Sequence, residues 1–293
     1  MKKLLIFALT FMLLAGTLSA AGLNVEANEF KILLKAEQFI APQKGCDLFW
    51  ELVEKVALDH GVKIKSENEQ KSDRQIAYLD SRNFDLYKKG FILRLRADMI
   101  GVSRSSGQLK AKNFAELTLK FRAPDKESAM LAPVFPAPGL GDDVSCEEDV
   151  VIKATEPVSV FSTSGNVALA GPTPKDIAAA IAIFPGLRQL KLDPTIELGA
   201  VNNILVVEKR FSRGTMYFNN EKTKTDFSVW YKKGESKPFI AEFSFKLRIG
   251  NKLSASEIKA REQIEKFFVD LVKRGKFFID KGQTKTGAVY QSR

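Results

Sequence analysis

The sequence predicts an α+β fold in which antiparallel strands make one sheet and amphipathic helices pack on its apolar face. Two kinds of pattern predict it. Several short segments alternate charged and large apolar residues with period two, as a half-buried strand requires. Others repeat apolar residues at three- and four-residue spacing, as a helix with one buried side does. Their order is strand, helix, several strands, a helical insertion, more strands and a last helix, which suits antiparallel neighbours.

The chain has 293 residues, 45% of them apolar and 27% charged, the balance of a globular protein. That length allows one large domain or two ordinary ones. Lys2 and Lys3 precede an apolar run over residues 4–14, and Gly16, Thr17, Ser19, Ala20 and Ala21 follow. This is the order of a secretory signal, so residues 1–21 are expected to be a leader and the mature chain to start near Gly22. The expected location is periplasmic or secreted. The run is shorter than the roughly 20 residues a bilayer span needs, and no later segment reads as a membrane span. No cysteine follows it to carry a lipid. Without Lys2 and Lys3 the formal charge falls from +10 to +8. A basic balance suits nucleic acid, anionic lipid or a phosphate-rich small molecule, and export disfavours nucleic acid. Cys46 and Cys146 are either a disulfide or two unrelated buried thiols.

Each element has its own warrant. Residues 29–35 (EFKILLK) put Phe30, Ile32 and Leu34 on one strand face and Glu29 and Lys31 on the other. Leu48, Phe49, Leu52, Val53 and Val56 mark a helix that His60 and Gly61 would stop. Residues 75–80 read as a short strand and residues 83–89 as a turn ending at Gly90. In residues 91–96 (FILRLR), Arg94 and Arg96 share a face. In residues 116–122 (ELTLKFR), Glu116, Thr118, Lys120 and Arg122 share one. If these two strands are neighbours, four cations crowd one face of one sheet, and such a face wants a polyanion. The Pro-, Gly- and Ala-rich residues 123–145 read as a loop insertion, and about 170–195 as a helical one in which Pro185 and Gly186 break a helix over 175–190.

Glu147 and Asp149 share a face of the next strand, over residues 147–153. Residues 161–165 (FSTSG) read as a loop. Strands over 204–211, 225–232 and 238–247 follow, with Glu208 and Arg210 on one face of the first and Glu242, Ser244 and Lys246 on one face of the last. Residues 256–274 form the closing helix, with Ile258, Ile264, Phe267, Phe268 and Leu271 as its buried side. Two arrangements satisfy the charged faces. An open sheet would show them to water, and a closed barrel would turn them inward around a ligand.

The ordered set Tyr78-x-Asp80, the turn ending at Gly90, Arg94-x-Arg96 and Thr118-Leu-Lys120 resembles the CYTH family, the triphosphate tunnel metalloenzymes. Weaker similarity continues through Glu147, Asp149, Arg210 and Glu242 in the same order, so residues 22–293 are expected to be one domain. The resemblance implies an antiparallel eight-stranded tunnel-like β-barrel with flanking helices. Members include inorganic, thiamine and RNA triphosphatases and some adenylate cyclases. Carried across by position, Arg94, Arg96, Lys120, Arg122 and Arg210 would hold phosphate. Glu29, Glu147, Asp149 and Glu242 would hold Mg²⁺ or Mn²⁺. The implied ligand is a triphosphate or polyphosphate, bound and hydrolysed with divalent metal help, or only bound if catalysis has been lost.

Two positions depart from the family pattern. Its first strand carries Glu-x-Glu-x-Lys, where this chain has Glu29-x-Lys31-x-Leu33. Its last strand carries a second glutamate two residues on, where Ser244 stands. Lys31 would then supply a cation where the family has a carboxylate, joining the phosphate-holding set. With one histidine, His60, neither a Ser-His-Asp triad nor a histidine metal site is expected. Neither a Gly-rich phosphate loop nor a Gly-x-Ser-x-Gly elbow is present.

Overall fold

The computed structural model describes residues 23–99, 115–141, 143–153, 156–250, 253–280 and 284–292. The leader expected at residues 1–21 lies outside them. The strands are β1 (Val25–Leu34), β2 (Lys63–Gln70), β3 (Arg74–Asp80), β4 (Phe91–Asp98), β5 (Ala115–Ala123), β6 (Asp143–Lys153), β7 (Glu156–Leu169), β8 (Gly199–Ala200), β9 (Val206–Phe218), β10 (Glu221–Lys232) and β11 (Pro238–Arg248). The helices are α1 (Pro42–Asp59), α2 (Lys126–Met130), α3 (Ile177–Ile183), α4 (Ala255–Arg274) and α5 (Lys285–Gln291).

Nine strands close into a ring in the order β9-β10-β11-β1-β6-β7-β5-β4-β3, with β3 returning to β9. β2 pairs with the far half of β9, and β8 adds two residues to β3. The eight-stranded, wholly antiparallel expectation is therefore corrected. The extra strand is β7, which runs through residues 161–165, the stretch read as a loop. A ring with an odd number of strands cannot alternate in direction all the way round. One parallel pair is unavoidable, and it is β1 with β6.

The segment between β5 and β6 is the connection that β7 makes necessary. β5 and β6 both pair with β7, so the chain must pass over β7 to reach the other side. It carries α2 on the way. A Cβ on Gly165 of β7 would lie 2.0 Å from the Val134 carbonyl oxygen, so only glycine lets the crossing segment seat there. Thr163 Oγ1 donates to the Ala129 carbonyl at 2.6 Å beside it.

The outward faces of the ring are apolar and covered. Phe30, Ile32, Phe227, Ala241, Phe243 and Phe245 pack under α1 and α4 in one cluster. Leu93, Leu117 and Leu119 pack with Ile177, Ala180 and Leu187 in another. A fully buried side chain of this size contributes about 1.5–3 kcal/mol, so the helices hold each strand's apolar face outward. Pro42 opens α1, and Gly61, at φ 64°, follows its end. α4 starts with a capping box in which Ser254 Oγ accepts from Glu257 N and Glu257 Oε2 accepts from Ser254 N.

Arg261 then forks onto Glu148 Oε2 and Oε1 at 3.0 Å each, tying α4 to the outer face of β6. Ile258, expected on the buried side of α4, is 46% exposed, because the helix meets the barrel only from Ala260 onward. The expected helix at 175–190 is α3 followed by a tighter turn over Pro185–Leu190. Cys46 and Cys146 are both free, buried thiols. Among the described residues no helix is long and apolar enough to cross a membrane.

Candidate functional site

With apolar positions turned outward, every second residue of each strand points into the ring. There they line a cavity of about 680 Å³. The lining carries almost as many carboxylates as cations, so the pairing of charges decides what the space can accept.

One wall is β4 with β5. Arg94 stands opposite Thr118 and Arg96 opposite Glu116. Arg94 Nη2 donates to Thr118 Oγ1 at 3.3 Å, and Thr118 in turn donates to Asn166 Oδ1 at 2.9 Å. Glu116 lies 3.9 Å from Arg94 and 3.7 Å from Arg96. Lys120 and Arg122 reach across β7 to Asp149 at 3.6 and 3.9 Å. All four contacts exceed hydrogen-bond length. Arg94 Nε is buried with no hydrogen-bond partner among the described residues. Burial pushes the Lys120 ammonium down to about 8; Asp149 opposes this, while Lys31 and Arg122 add to it. Burial, with Arg94 adding, likewise lowers Arg96 to about 10. These are cations held with less counter-charge than they need.

The other wall is β6, β1 and β11. Glu29 of β1 is in register with Asp149 of β6 and with Lys246 of β11. Lys31 Nζ donates to Asp149 Oδ1 at 2.8 Å and lies 3.0 Å from Glu29 Oε2. Lys246 Nζ donates to Glu147 Oε1 at 2.7 Å and lies 3.6 Å from Glu29 Oε2. Burial works against the charge of Lys31, but Asp149, Glu29 and Glu242 outweigh it and hold its pKa above the ordinary lysine value. Burial likewise disfavours the Glu29 carboxylate, and Lys31 and Lys246 still hold it down at about 2. Asp149 is kept below the usual carboxylate range against burial by Lys120, Lys31 and Arg122.

One end of the cavity is furnished by α5. Lys285 donates to Glu242 Oε1 at 2.7 Å and lies 5.1 Å from the Trp230 ring centroid. Glu208 accepts from Ser228 Oγ at 2.7 Å and Trp230 Nε1 at 2.9 Å. Thr286 Oγ1 accepts from Arg122 Nη1 at 3.3 Å. Tyr290 OH donates to Asp80 Oδ2 at 3.2 Å, pinning the helix. Asp80 also accepts from the backbone N–H groups of Ser81, Leu86 and Tyr87. It therefore builds the turn into Gly90, at φ 84°, that aims β4.

Of the residues singled out in the sequence, Lys31, Arg94, Arg96, Lys120, Arg122, Glu29, Glu147, Asp149 and Glu242 all line the cavity. Arg210 does not; it shares the inward face, opposite Ser228, and pairs with Asp226 at 3.7 Å. Glu29, Glu147 and Asp149 each offer an oxygen within 4.8 Å of the others, and Glu242 is not in that group. Lys285 was not anticipated. Its helix has seven residues, too few for a periodic pattern. The one sequence signal there is Thr284, whose hydroxyl accepts from Gly287 N as an N-cap.

Three clustered carboxylates suit a hard cation such as Mg²⁺ or Mn²⁺, but the donor set does not fit one as it stands. The ammoniums of Lys31 and Lys246 already occupy oxygens of all three.

No family model and no curated protein matches the chain. Solved structures do. A proposed adenylate cyclase from Bacillus halodurans is 13% identical over 91% of this chain and 97% of its own, with a TM-score of 0.39. A proposed adenylyl cyclase from Hippeastrum, described as having a dominant triphosphatase activity, is 11% identical over 91% and 95%, with a TM-score of 0.40. A protein from Pyrococcus horikoshii is 15% identical over 84% and 89%, with a TM-score of 0.34. The likeness is loose at these scores, and the ligand has to be read from the tunnel's own side chains.

Proposed function

We propose that the protein binds a short linear polyphosphate, or the triphosphate of a larger molecule, inside the barrel. One observation carries this reading. Arg94, Arg96, Lys120 and Arg122 face a common cavity from two paired strands, with ion pairs no shorter than 3.6 Å. Half-buried cations with so little counter-charge cost stability unless something anionic joins them. Arginine forks and a lysine point charge together suit a chain of phosphate groups. A cavity of about 680 Å³ suits a small anion better than a nucleic-acid duplex.

Calorimetric titration of the mature chain with tripolyphosphate tests this. Saturable one-site binding is expected, and Arg94→Ala/Arg96→Ala should abolish it without lowering the thermal midpoint. Binding that survives the double substitution would place the anion elsewhere.

Hydrolysis is the second reading, favoured by the grouping of Glu29, Glu147 and Asp149. Phosphate release from tripolyphosphate with Mg²⁺ or Mn²⁺, lost in Glu147→Gln, would establish it. Export through the leader belongs to the same proposal and would put the ligand outside the cytosol. A fusion of residues 1–21 to a reporter enzyme checks this by the reporter's location.

A further inference from the structure

The two departures of this chain, Lys31 and Ser244, are directly opposite one another across the β1–β11 pair. They are one local change and not two. An ammonium and a hydroxyl face each other beside Glu29 and Asp149.

We propose that Lys31 is the tunnel's resident cation. Its ammonium, with that of Lys246, takes the oxygens of Glu29, Glu147 and Asp149 that a divalent ion would need, and the polyanion is held without metal. The proposal rests on the reading of the tunnel as a polyanion site.

Geometry carries it. Lys31 Nζ is 2.8 Å from Asp149 Oδ1 and 3.0 Å from Glu29 Oε2. A Mg²⁺ ion needs oxygens at about 2.0–2.1 Å, and any it took from this group would set it beside the two ammoniums, Lys31 on Glu29 Oε2 and Asp149 Oδ1 and Lys246 on Glu147 Oε1, which repel a divalent cation. Lys31 has little room to withdraw. Its neighbours Phe30 and Ile32 are 1% and 0% exposed in the outer core, which fixes the strand face. β6 and β11 flank it on both sides. Lys246 closes the remaining side of the group, 2.7 Å from Glu147 Oε1.

A lysine ammonium has three N–H donors, and Glu29 and Asp149 engage two. The third is left for a ligand oxygen, so Lys31 can bridge carboxylate and phosphate as a metal would. Ser244, opposite, adds no charge that would call for a second cation.

The test has two arms on the mature, full-length chain. The first titrates Mn²⁺ alone, followed by its electron paramagnetic resonance signal. Wild type should leave Mn²⁺ free at sub-millimolar concentrations. Lys31→Glu, which removes the ammonium and adds an oxygen donor, should tighten Mn²⁺ binding about tenfold or more. Lys31→Met serves as a second variant if Lys31→Glu fails to fold, with the thermal midpoint as the check. The second arm titrates tripolyphosphate in EDTA, and wild-type binding there should need no added metal.

Micromolar Mn²⁺ binding by wild type would overturn the proposal. So would tripolyphosphate binding that appears only when Mn²⁺ is added, and that outcome would leave the polyanion reading intact. If tripolyphosphate binds under neither condition, the polyanion reading falls, while the Mn²⁺ arm still decides whether Lys31 excludes a metal.

Discussion

The two walls of the tunnel are built from the same residue types and behave in opposite ways. On the wall made by β1, β6 and β11, the closest ion pairs are 2.7, 2.8 and 3.0 Å. On the β4–β5 wall, pairs run from 3.6 to 3.9 Å. The first wall is neutralised from within and acts as structure. The second holds charge that the fold itself does not satisfy. β7 lies between them, and its inward positions Val158, Val160, Ser164 and Asn166 carry no charge, so among the described residues the rows meet only through the long contacts of Lys120 and Arg122 with Asp149. The proposed binding capacity thus rests on an imbalance between walls more than on the number of cations.

Substitutions on each wall can break this comparison. The largest effect is expected from Asp149→Asn. It leaves the half-buried Lys31 and Lys120 without their shared, buried counter-charge, a loss of about 3–5 kcal/mol for a broken buried pair, read by urea unfolding. A loss below about 1 kcal/mol would erase the distinction between the walls.

Lys120→Met should act in the other direction. Removing a half-buried, under-paired ammonium should raise stability by about 1 kcal/mol, while tripolyphosphate affinity falls about tenfold or more for one lost charged hydrogen bond. Equal loss of both would mean that Lys120 is structural.

pH provides a third handle. Lys120 has a folded pKa of about 8, below the ordinary 10.5. Between those values the unfolded chain binds more protons, so the contribution of Lys120 to stability rises with pH across that window. A bound anion draws the pKa back up. The part of tripolyphosphate affinity that depends on Lys120, the difference between wild type and Lys120→Met, should therefore be level below pH 8 and fall above it, by at most about tenfold per unit. Lys120→Arg, which keeps its charge, should flatten the fall in a calorimetric pH series.

The smallest effect is expected from Glu116→Gln. Its carboxylate competes with the ligand for Arg94 and Arg96 from 3.9 and 3.7 Å and is 44% exposed. Its removal should tighten tripolyphosphate about two- to fivefold, within the range of an exposed pair. Weaker binding would mean that Glu116 orients the arginines.

Eight of the nine ring strands are legible in the sequence, most of them because a charged face alternates with an apolar one. β7 is not. Its inward face is mostly small and polar, and its outer face includes Gly165 where the crossing segment seats, so the alternation is missing. β2 escapes for a related reason: all but one of its eight residues are exposed, and no apolar row marks it. The partner of Glu242 escapes too. A buried carboxylate demands a cation, and Lys285 supplies it from a seven-residue helix too short to show a periodic pattern.

By itself the sequence determined which side chains share a face. Strand alternation is local geometry, set by the backbone over a few residues, and it grouped Arg94 with Arg96, Glu147 with Asp149, and Lys120 with Arg122. Only the tertiary structure decided which face is the inside and who neutralises whom. Lys31 meets Asp149 across 118 positions of sequence, through the parallel pairing that a nine-strand ring imposes. Register across a closed barrel is a property of the whole ring, and no window of the chain contains it.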